Sequence, residues 1–256
     1  MRVISYNVNG IRAAARKGMY EWLKRQKADV VCLQETKAQM EHLHDEVFRP
    51  QGYHCHFVDA EKKGYSGVGI YSKEKPDNII TELGWHDADN EGRYIQADFG
   101  DLSVASIYVP SGSSGDHRQN VKFDFMDHYE KVLNKQINDG RSYIICGDWN
   151  IVHKEIDIKN FKPNQKNSGC LPEERAWLDK LFDKIGFVDA FRVVNQKPDQ
   201  YTWWSNRGRA RENNVGWRID YQVVTPDLED KVEKVRVYKD KWFSDHAPLI
   251  IDYAMD

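Results

Sequence analysis

Apolar residues in this chain come in short runs separated by polar stretches. "RVISYNV", "DVVCLQE", "GVGIYS", "YIQADF", "LSVASIYV", "YIICGDWN", "DYQVVTP" and "LIIDYA" are rich in Val, Ile and Tyr, the signature of β-strands. Between them the apolar positions recur at helical spacing. "GMYEWLKRQK" leads into the second run, and "HRQNVKFDFMDHYEKVLNKQI" sets Val121, Phe125, Tyr129, Val132 and Ile137 along one stripe. "PEERAWLDKLFDKIG" starts at Pro172 and Glu173 and stops at Gly186, a matched pair of helix signals. In "RYIQADFGDLSVASIYV" the "GD" between two runs predicts an antiparallel pair. The pattern predicts an α/β protein with two packed sheets and helices outside. No linker-like segment divides the chain, so one domain spanning 1–256 is expected. Two long polar stretches, 111–120 and 153–172, each follow directly on a strand. Loops of that length in a compact domain are usually functional or disordered.

Composition narrows the partners only slightly. There are 37 basic and 40 acidic residues, a net charge of −3, which argues against a general nucleic-acid coat or a membrane-surface protein. An enzyme that confines its basic residues to one face remains open. Thirteen Tyr and eight Trp supply rings with polar handles for binding surfaces as well as for the core. Cys32, Cys55, Cys146 and Cys170 form no zinc spacing; Cys32 and Cys146 lie inside apolar runs and read as buried thiols. A reduced compartment is expected. The first strand pattern begins at once, without a signal peptide, and no apolar run approaches the ~20 residues of a membrane helix. The expectation is a cytoplasmic protein without membrane contact.

The ends of the strands carry an unusual set of polar residues: Asn7 and Asn9, Glu35, Tyr108, Asp148 and Asn150, Asp220, then Asp245 and His246. Their convergence on one site is the simplest reading, since ligand sites collect at strand ends. Carboxylates and amides without cysteine make a hard-oxygen set suited to Mg²⁺, with Mn²⁺ as a substitute. A His, a Tyr hydroxyl and an amide beside it can stabilise charge on a phosphoryl group. Adjacent residues of an extended chain point to opposite sides, so Asp245 is not the carboxylate that orients His246. Asp220, inside the apolar "RIDYQVV", is costly unless paired; its partner is either His246 or a neighbouring Arg such as Arg218. Lys37, two residues beyond Glu35, is either a phosphate contact or a solvated surface lysine.

Seven stretches, "SYNVNGIRA", "LQETK", "GYSGVGIYSK", "YVPSG", "CGDWN", "NVGWRIDY" and "SDHAPL", resemble in order and spacing the motifs of the exonuclease III / apurinic-apyrimidinic (AP) endonuclease family, within the endonuclease/exonuclease/phosphatase superfamily. The resemblance runs over nearly the whole chain. It implies a four-layer sandwich of two mainly antiparallel sheets flanked by helices. It also implies a Mg²⁺-dependent base-excision-repair enzyme that cuts duplex DNA 5′ to abasic sites, cleans blocked 3′ ends and removes nucleotides 3′ to 5′. By resemblance Glu35 is the main metal ligand, with Asn7 and Asp245 beside it and Asp148 and Asn150 at a second position. Many relatives carry an acid where this chain has Asn9. Asp148 activates the attacking water or protonates the leaving oxygen, Asn150 holds water or phosphate, Tyr108 contacts the phosphate, and His246 binds it with Asp220 in support.

"YTWWSNRGRARENNVGW" (201–217) is matched to the lesion-binding segment. The resemblance places Trp203 and Trp217 as walls for an extruded abasic sugar and Arg207 on a loop entering a DNA groove. Large rings suit a baseless sugar, and Arg207, Arg209 and Arg211 read as a positive stripe for phosphates. In "NFKPNQKNSG", Asn160, Asn164 and Asn167 are amide donors to DNA, the latter two foremost, with small Ser168 and Gly169 leaving room. The expected partner is double-stranded DNA with abasic or blocked 3′ ends, bound by a monomer. The immediate start at the first strand suggests a minimal, bacterial-type enzyme. The remaining histidines, in "HLH" (42–44) and "HCH" (54–56), read as surface or edge residues. Two alternatives accompany this reading. One is another phosphoesterase of the superfamily acting on sugar or lipid phosphates; the other is a DNA-damage binding protein without catalysis.

Overall fold

The computed structural model describes residues 1–255. Two six-stranded sheets pack face to face. The first contains β1 (Arg2–Asn7), β2 (Val30–Gln34), β3 (His54–Val58), β4 (Val68–Ser72), β13 (Val232–Val237) and β14 (Leu249–Tyr253). The second contains β5 (Asn78–Ile80), β6 (Tyr94–Phe99), β7 (Leu102–Tyr108), β8 (Ser142–Asp148), β9 (Val188–Asp189) and β12 (Asp220–Val224). Their orders are β13-β14-β1-β2-β4-β3 and β5-β6-β7-β8-β12-β9. Each sheet has one central parallel pair, β1 with β2 and β7 with β8. The other pairs are antiparallel. A two-stranded ribbon, β10 (Trp203–Trp204) with β11 (Gly216–Trp217), stands apart.

The central strands read as unbroken apolar runs because both faces of each sheet are covered. Along β1, Val3 points into the inter-sheet core while Ile4 and Tyr6 point outward to helices. Cys32, Ile70, Val104, Ile144 and Cys146 fill the layer between the sheets, and the two cysteines are fully buried free thiols, as their apolar context predicts. Helix Met19–Gln26 covers the first sheet with Trp22 and Leu23. Helices Asp116–Gln136 and Pro172–Lys180 cover the second with Phe125, Tyr129 and Trp177. Each such side chain taken from water contributes about 2 kcal/mol. The result is the expected four layers.

The apolar runs did not mark every strand. β3 and β13 are edge strands, and β13 alternates Val with charge in "VEKVRV", the usual way an exposed edge is blunted. The "HCH" histidines lie on edge strand β3. The long helix is rotated slightly from its predicted stripe. It buries Leu133 rather than Val132, and it buries Lys122 on the same face as Phe125 and Tyr129. Among the described residues no helix is long and apolar enough to cross a membrane.

Candidate active site

Strand register assembles the site. β7 pairs Tyr108 with Asp148, and β12 pairs Asp220 with Asp148, so three polar residues stand in a row along one rim of the second sheet. β1 and β2 pair Asn7 with Gln34 at the first sheet's rim, one residue before Glu35. The segment ahead of β14 delivers Asp245 and His246. At the corners where strands become loops, Asn9, Glu35, Lys37 and Asn150 all have positive φ, between 42° and 53°. Left-handed backbone at non-glycine residues costs about 1–3 kcal/mol each and tends to gather at functional sites.

The side chains interlock across the two sheets. Asp148 Oδ2 accepts from Asn7 Nδ2 at 2.8 Å and its Oδ1 from the Asn150 amide at 2.9 Å. His246 Nδ1 donates to Asp220 at 2.9 Å, while Nε2 lies 3.7 Å from Asp148. Asp220 is therefore the histidine's partner. Arg218 turns instead to Asp157 and Asp189, at 2.7 and 2.6 Å. Asp245 faces away from its neighbour, accepting from Asn9 Nδ2 at 2.9 Å and Trp203 Nε1 at 3.1 Å. Tyr108 donates to Glu35 Oε1 through a short hydrogen bond, and Lys37 Nζ lies 2.8 Å from Glu35 Oε2.

The electrostatics are one-sided. Burial alone would lower the His246 pKa, but Asp220 and Asp148 outweigh it and raise it to about 10. The ring is an imidazolium at neutral pH. Burial raises Asp148 to about 8, with Asp220 and Glu35 adding to the effect and His246 opposing it. Burial and then Glu35 hold the Tyr108 phenol well above its ordinary value, so it remains a donor. Burial works against Asp245, yet His246 and the hydrogen bonds from Asn9, Trp203 and Ser244 bring it below the ordinary carboxylate range.

A divalent ion fits one part of this arrangement. Lys37 Nζ touches Glu35 Oε2 at 2.8 Å and Asn9 Oδ1 at 2.5 Å, so these oxygens already converge on a positive charge, and Asp245 joins them through Asn9. This is an all-oxygen donor set of the kind Mg²⁺ or Mn²⁺ prefers. Ligand atoms of Asp148, Asp220 and His246 also lie within 4.8 Å of one another, but His246 spends Nδ1 on Asp220 and is itself cationic. Asn7 is fully buried, with Oδ1 taken by the Asn9 amide and Nδ2 given to Asp148. As placed, it braces Asp148.

Beyond this floor opens a cleft of ≈ 1260 Å³ whose lining includes Asn164, Asn167, Trp203, Arg207 and Trp217. Trp203 and Trp217 meet edge to face with centroids 5.8 Å apart. Ile219 completes this apolar wall; it stands next to Asp220 in an apolar run, where nothing but its place beside a site residue could mark it. Asn164 donates to the Asn160 carbonyl and Asn167 to Asn164 Oδ1, both at 2.9 Å, so within the protein these amides shape their own loop. The positive stripe is interrupted: Arg209 pairs with Glu212, and Arg211 lies between Trp204 and Trp242.

Lys122 and Glu174 also escaped sequence reasoning. Both are wholly buried and 2.6 Å apart. Lys122 Nζ donates to the Asn150 carbonyl at 2.7 Å, and Glu174 accepts the Gly169 and Leu171 amides at 2.6 and 3.0 Å. The pair ties the Asp148–Asn150 corner to the loop at 160–171. Gly169 has φ +90°, and a Cβ there would lie 3.0 Å from both the Asn150 carbonyl and the Trp217 ring, so the loop comes this close only because residue 169 has no side chain.

Known proteins resemble this chain over nearly all of its length. The chain is 40% identical over 256 residues to an exodeoxyribonuclease of Bacillus subtilis (strain 168), covering 97% of this chain and 98% of that protein. It is 36% identical to a DNA-(apurinic or apyrimidinic site) endonuclease of Dictyostelium discoideum, covering 97% of this chain and 69% of that one. The structure of an AP endonuclease from Archaeoglobus fulgidus superimposes with a TM-score of 0.89 at 28% identity, covering both chains completely. The model of the Endonuclease/Exonuclease/phosphatase family matches residues 4–246, from within β1 to His246 itself. By that span and by its relatives, the chain belongs to the endonuclease/exonuclease/phosphatase family.

Proposed function

We propose that this chain is a Mg²⁺-dependent phosphodiesterase of DNA base-excision repair, acting as a monomer on duplex DNA. It cuts 5′ to an abasic site, leaving a 3′-hydroxyl and a 5′-deoxyribose phosphate, and removes blocking groups and nucleotides from 3′ ends. The observation that carries this reading is a buried His246–Asp220 pair beside Asp148, at the floor of a cleft walled by Trp203 and Trp217. Phosphate chemistry and a sugar-sized apolar wall meet there. Exodeoxyribonuclease and AP endonuclease relatives support the DNA assignment over a sugar- or lipid-phosphate esterase.

In this mechanism the His246 imidazolium and Tyr108 hydroxyl hold non-bridging oxygens of the scissile phosphate, and Asn150 orients the incoming water. Asp148, in its ionised form, takes a proton from that water as its oxygen bonds to phosphorus. The bond from phosphorus to the upstream 3′ oxygen then breaks, and that oxygen takes a proton from solvent water and leaves as the 3′-hydroxyl. Positioning and charge stabilisation carry most of the rate. A Mg²⁺ or Mn²⁺ ion held by Glu35 and Asp245, with Asn9 and Asn7 adjoining, would neutralise charge on the phosphate. Trp203, Trp217 and Ile219 accept a sugar without a base. Arg207, Asn164, Asn167 and Lys37 contact the strand around it.

The test uses two end-labelled duplexes that differ by one synthetic abasic site, each incubated with Mg²⁺ or EDTA. A single Mg²⁺-dependent cut 5′ to the lesion is expected. Laddering of both duplexes without a lesion-specific cut would overturn abasic specificity. Inertness toward both, with hydrolysis of a small phosphoester, would overturn the DNA assignment.

A further inference from the structure

Six large apolar residues are exposed among the described residues, and five are Val or Ile; the sixth is Trp242, 48% exposed. It lies four residues before His246, and its ring is anchored. The Arg211 guanidinium sits 4.5 Å from the Trp242 ring centroid and 4.6 Å from that of buried Trp204. Arg211 Nη1 also donates to the Ser244 carbonyl at 2.9 Å. Indole, guanidinium and indole thus form a stack that begins in the core and ends in a half-exposed ring. Beside it runs a groove of ≈ 190 Å³. That groove shares Ser205, Ala210 and Asp245 with the main cleft.

An exposed ring could simply cap Arg211, and single exposed apolar residues are ordinary. The surroundings favour a ligand. Lys17, Arg209 and Arg211 line the groove, Lys239 lies over the Trp204 ring, and Lys241 Nζ lies over Phe243 and next to Gly18, the neighbour of Lys17. Against them stand Asp240, Glu212 and the groove-lining Asp245; Glu212 is already paired with Arg209, and Asp245 accepts from Asn9 and Trp203. On a chain of net charge −3, this is a local excess of positive charge around a fixed aromatic surface. That combination suits single-stranded nucleic acid, whose bases stack on rings while its phosphates meet cations. A base inside a duplex has both faces covered by its neighbours, so only a base that has left the stack could use such a ring.

We propose that Trp242 is a stacking platform for an unpaired DNA base, with Lys17 and Lys241 receiving the adjoining phosphates. This rests on the nuclease reading and adds to it a contact outside the Trp203–Trp217 wall. The platform lets the enzyme hold DNA whose strand is frayed or unpaired near the cut, and it serves any base because every base presents a π-face.

The test measures binding in EDTA by fluorescence anisotropy, using a labelled 12-nucleotide oligothymidylate and a blunt 12-base-pair duplex. Wild type is compared with Trp242→Ala, Trp242→Leu and Trp242→Phe, and thermal melting of each reports folding. Trp242→Ala and Trp242→Leu are expected to weaken oligothymidylate binding about 10-fold, within the range for loss of one stacked base. Trp242→Phe should retain most of the affinity, and duplex binding should change less than about twofold. Oligothymidylate affinity unchanged in Trp242→Ala would overturn the platform. So would equal weakening of both probes by all three variants, which would mark a structural role. Cleavage of the abasic duplex by wild type is followed in parallel. Its absence alongside an intact Trp242 effect would remove the nuclease reading, whereas cleavage without the Trp242 effect removes only the platform.

Discussion

Two buried clusters of charge lie on either side of Ile219, and they are built on opposite principles. On one side Arg218 is held by Asp157 at 2.7 Å and Asp189 at 2.6 Å, with Arg192 closing on Asp157 at 2.5 Å. Two cations face two carboxylates. Burial opposes ionisation of Asp157, but Arg218 and Arg192 overcome it and lower its pKa to about 2. On the other side Asp148 and Asp220 flank the single His246, with Glu35 and Asp245 close behind. Four carboxylates there have His246 and the more exposed Lys37, and Asp148 is driven up to about 8. The first cluster is complete within the protein. The second is completed only by something positive or protonated, and so it is available for chemistry. Burial alone does not separate a structural ion network from an active site; charge balance does.

The comparison can be broken from either side. The largest effect is expected at the unbalanced cluster. Asp148→Asn or His246→Gln should lower abasic-site cleavage by about 10³–10⁴-fold in single-turnover assays. Melting temperature should stay level or rise for Asp148→Asn, which relieves strain among like charges, and fall for His246→Gln, which leaves Asp220 buried without its cation. Arg218→Met should do the reverse of Asp148→Asn. Removing one partner of a buried network costs about 3–5 kcal/mol, so melting should fall by roughly 10 °C, while kcat of the surviving folded enzyme changes little. Loss of activity greater than loss of folded protein would put Arg218 in the reaction.

A smaller effect tests the tie between the clusters' neighbours. Lys122→Met with Glu174→Gln removes the buried ion pair without leaving a lone charge, but frees the Asn150 carbonyl and slackens the 160–171 loop. Lesion cleavage should fall about 10- to 100-fold, more than stability predicts. An activity loss that tracks the melting curve would make the pair purely structural. The smallest effect lies in acid. Asp157 has a folded pKa of about 2 against an ordinary 3.8, so its contribution is complete above pH ~4 and fades as pH falls through about 2. The shift corresponds to about 2 kcal/mol. Denaturant titrations from pH 5 to pH 2 should show a steeper loss for wild type than for Asp157→Asn.

Most of the architecture was legible in sequence because buried central strands must be apolar on both faces, as in "YIICGD". Edge strands carry no such obligation, and "VEKVRV" and "HCHFV" do not stand out as apolar runs. The floor of the site was legible because chemistry leaves few residue types to choose from: Asp, His, Asn, Glu and Tyr at strand ends. Which partner Asp220 takes was not, since the residues alone leave His246 and Arg218 both open. Only the register of β12 against β8 turns Asp220 toward the histidine, and only the long-range contacts to Asp157 and Asp189 occupy Arg218. Lys122 was hidden for a similar reason. A lysine among apolar helix positions looks like a boundary residue until Glu174, 52 positions later, is brought against it. The same holds for Arg211, which looks like a phosphate contact in "RGRAR" and becomes the filling between two indoles.

The most direct test of the central claim, that the unbalanced cluster serves reaction rather than folding, measures both quantities on the same Asp148→Asn sample. Single-turnover cleavage of an abasic duplex in Mg²⁺ and thermal unfolding are recorded together, beside wild type. The account predicts a loss of cleavage of at least about 10³-fold with a melting temperature equal to or above wild type. A variant that melts several degrees lower, or that still cuts at near wild-type rate, would contradict it.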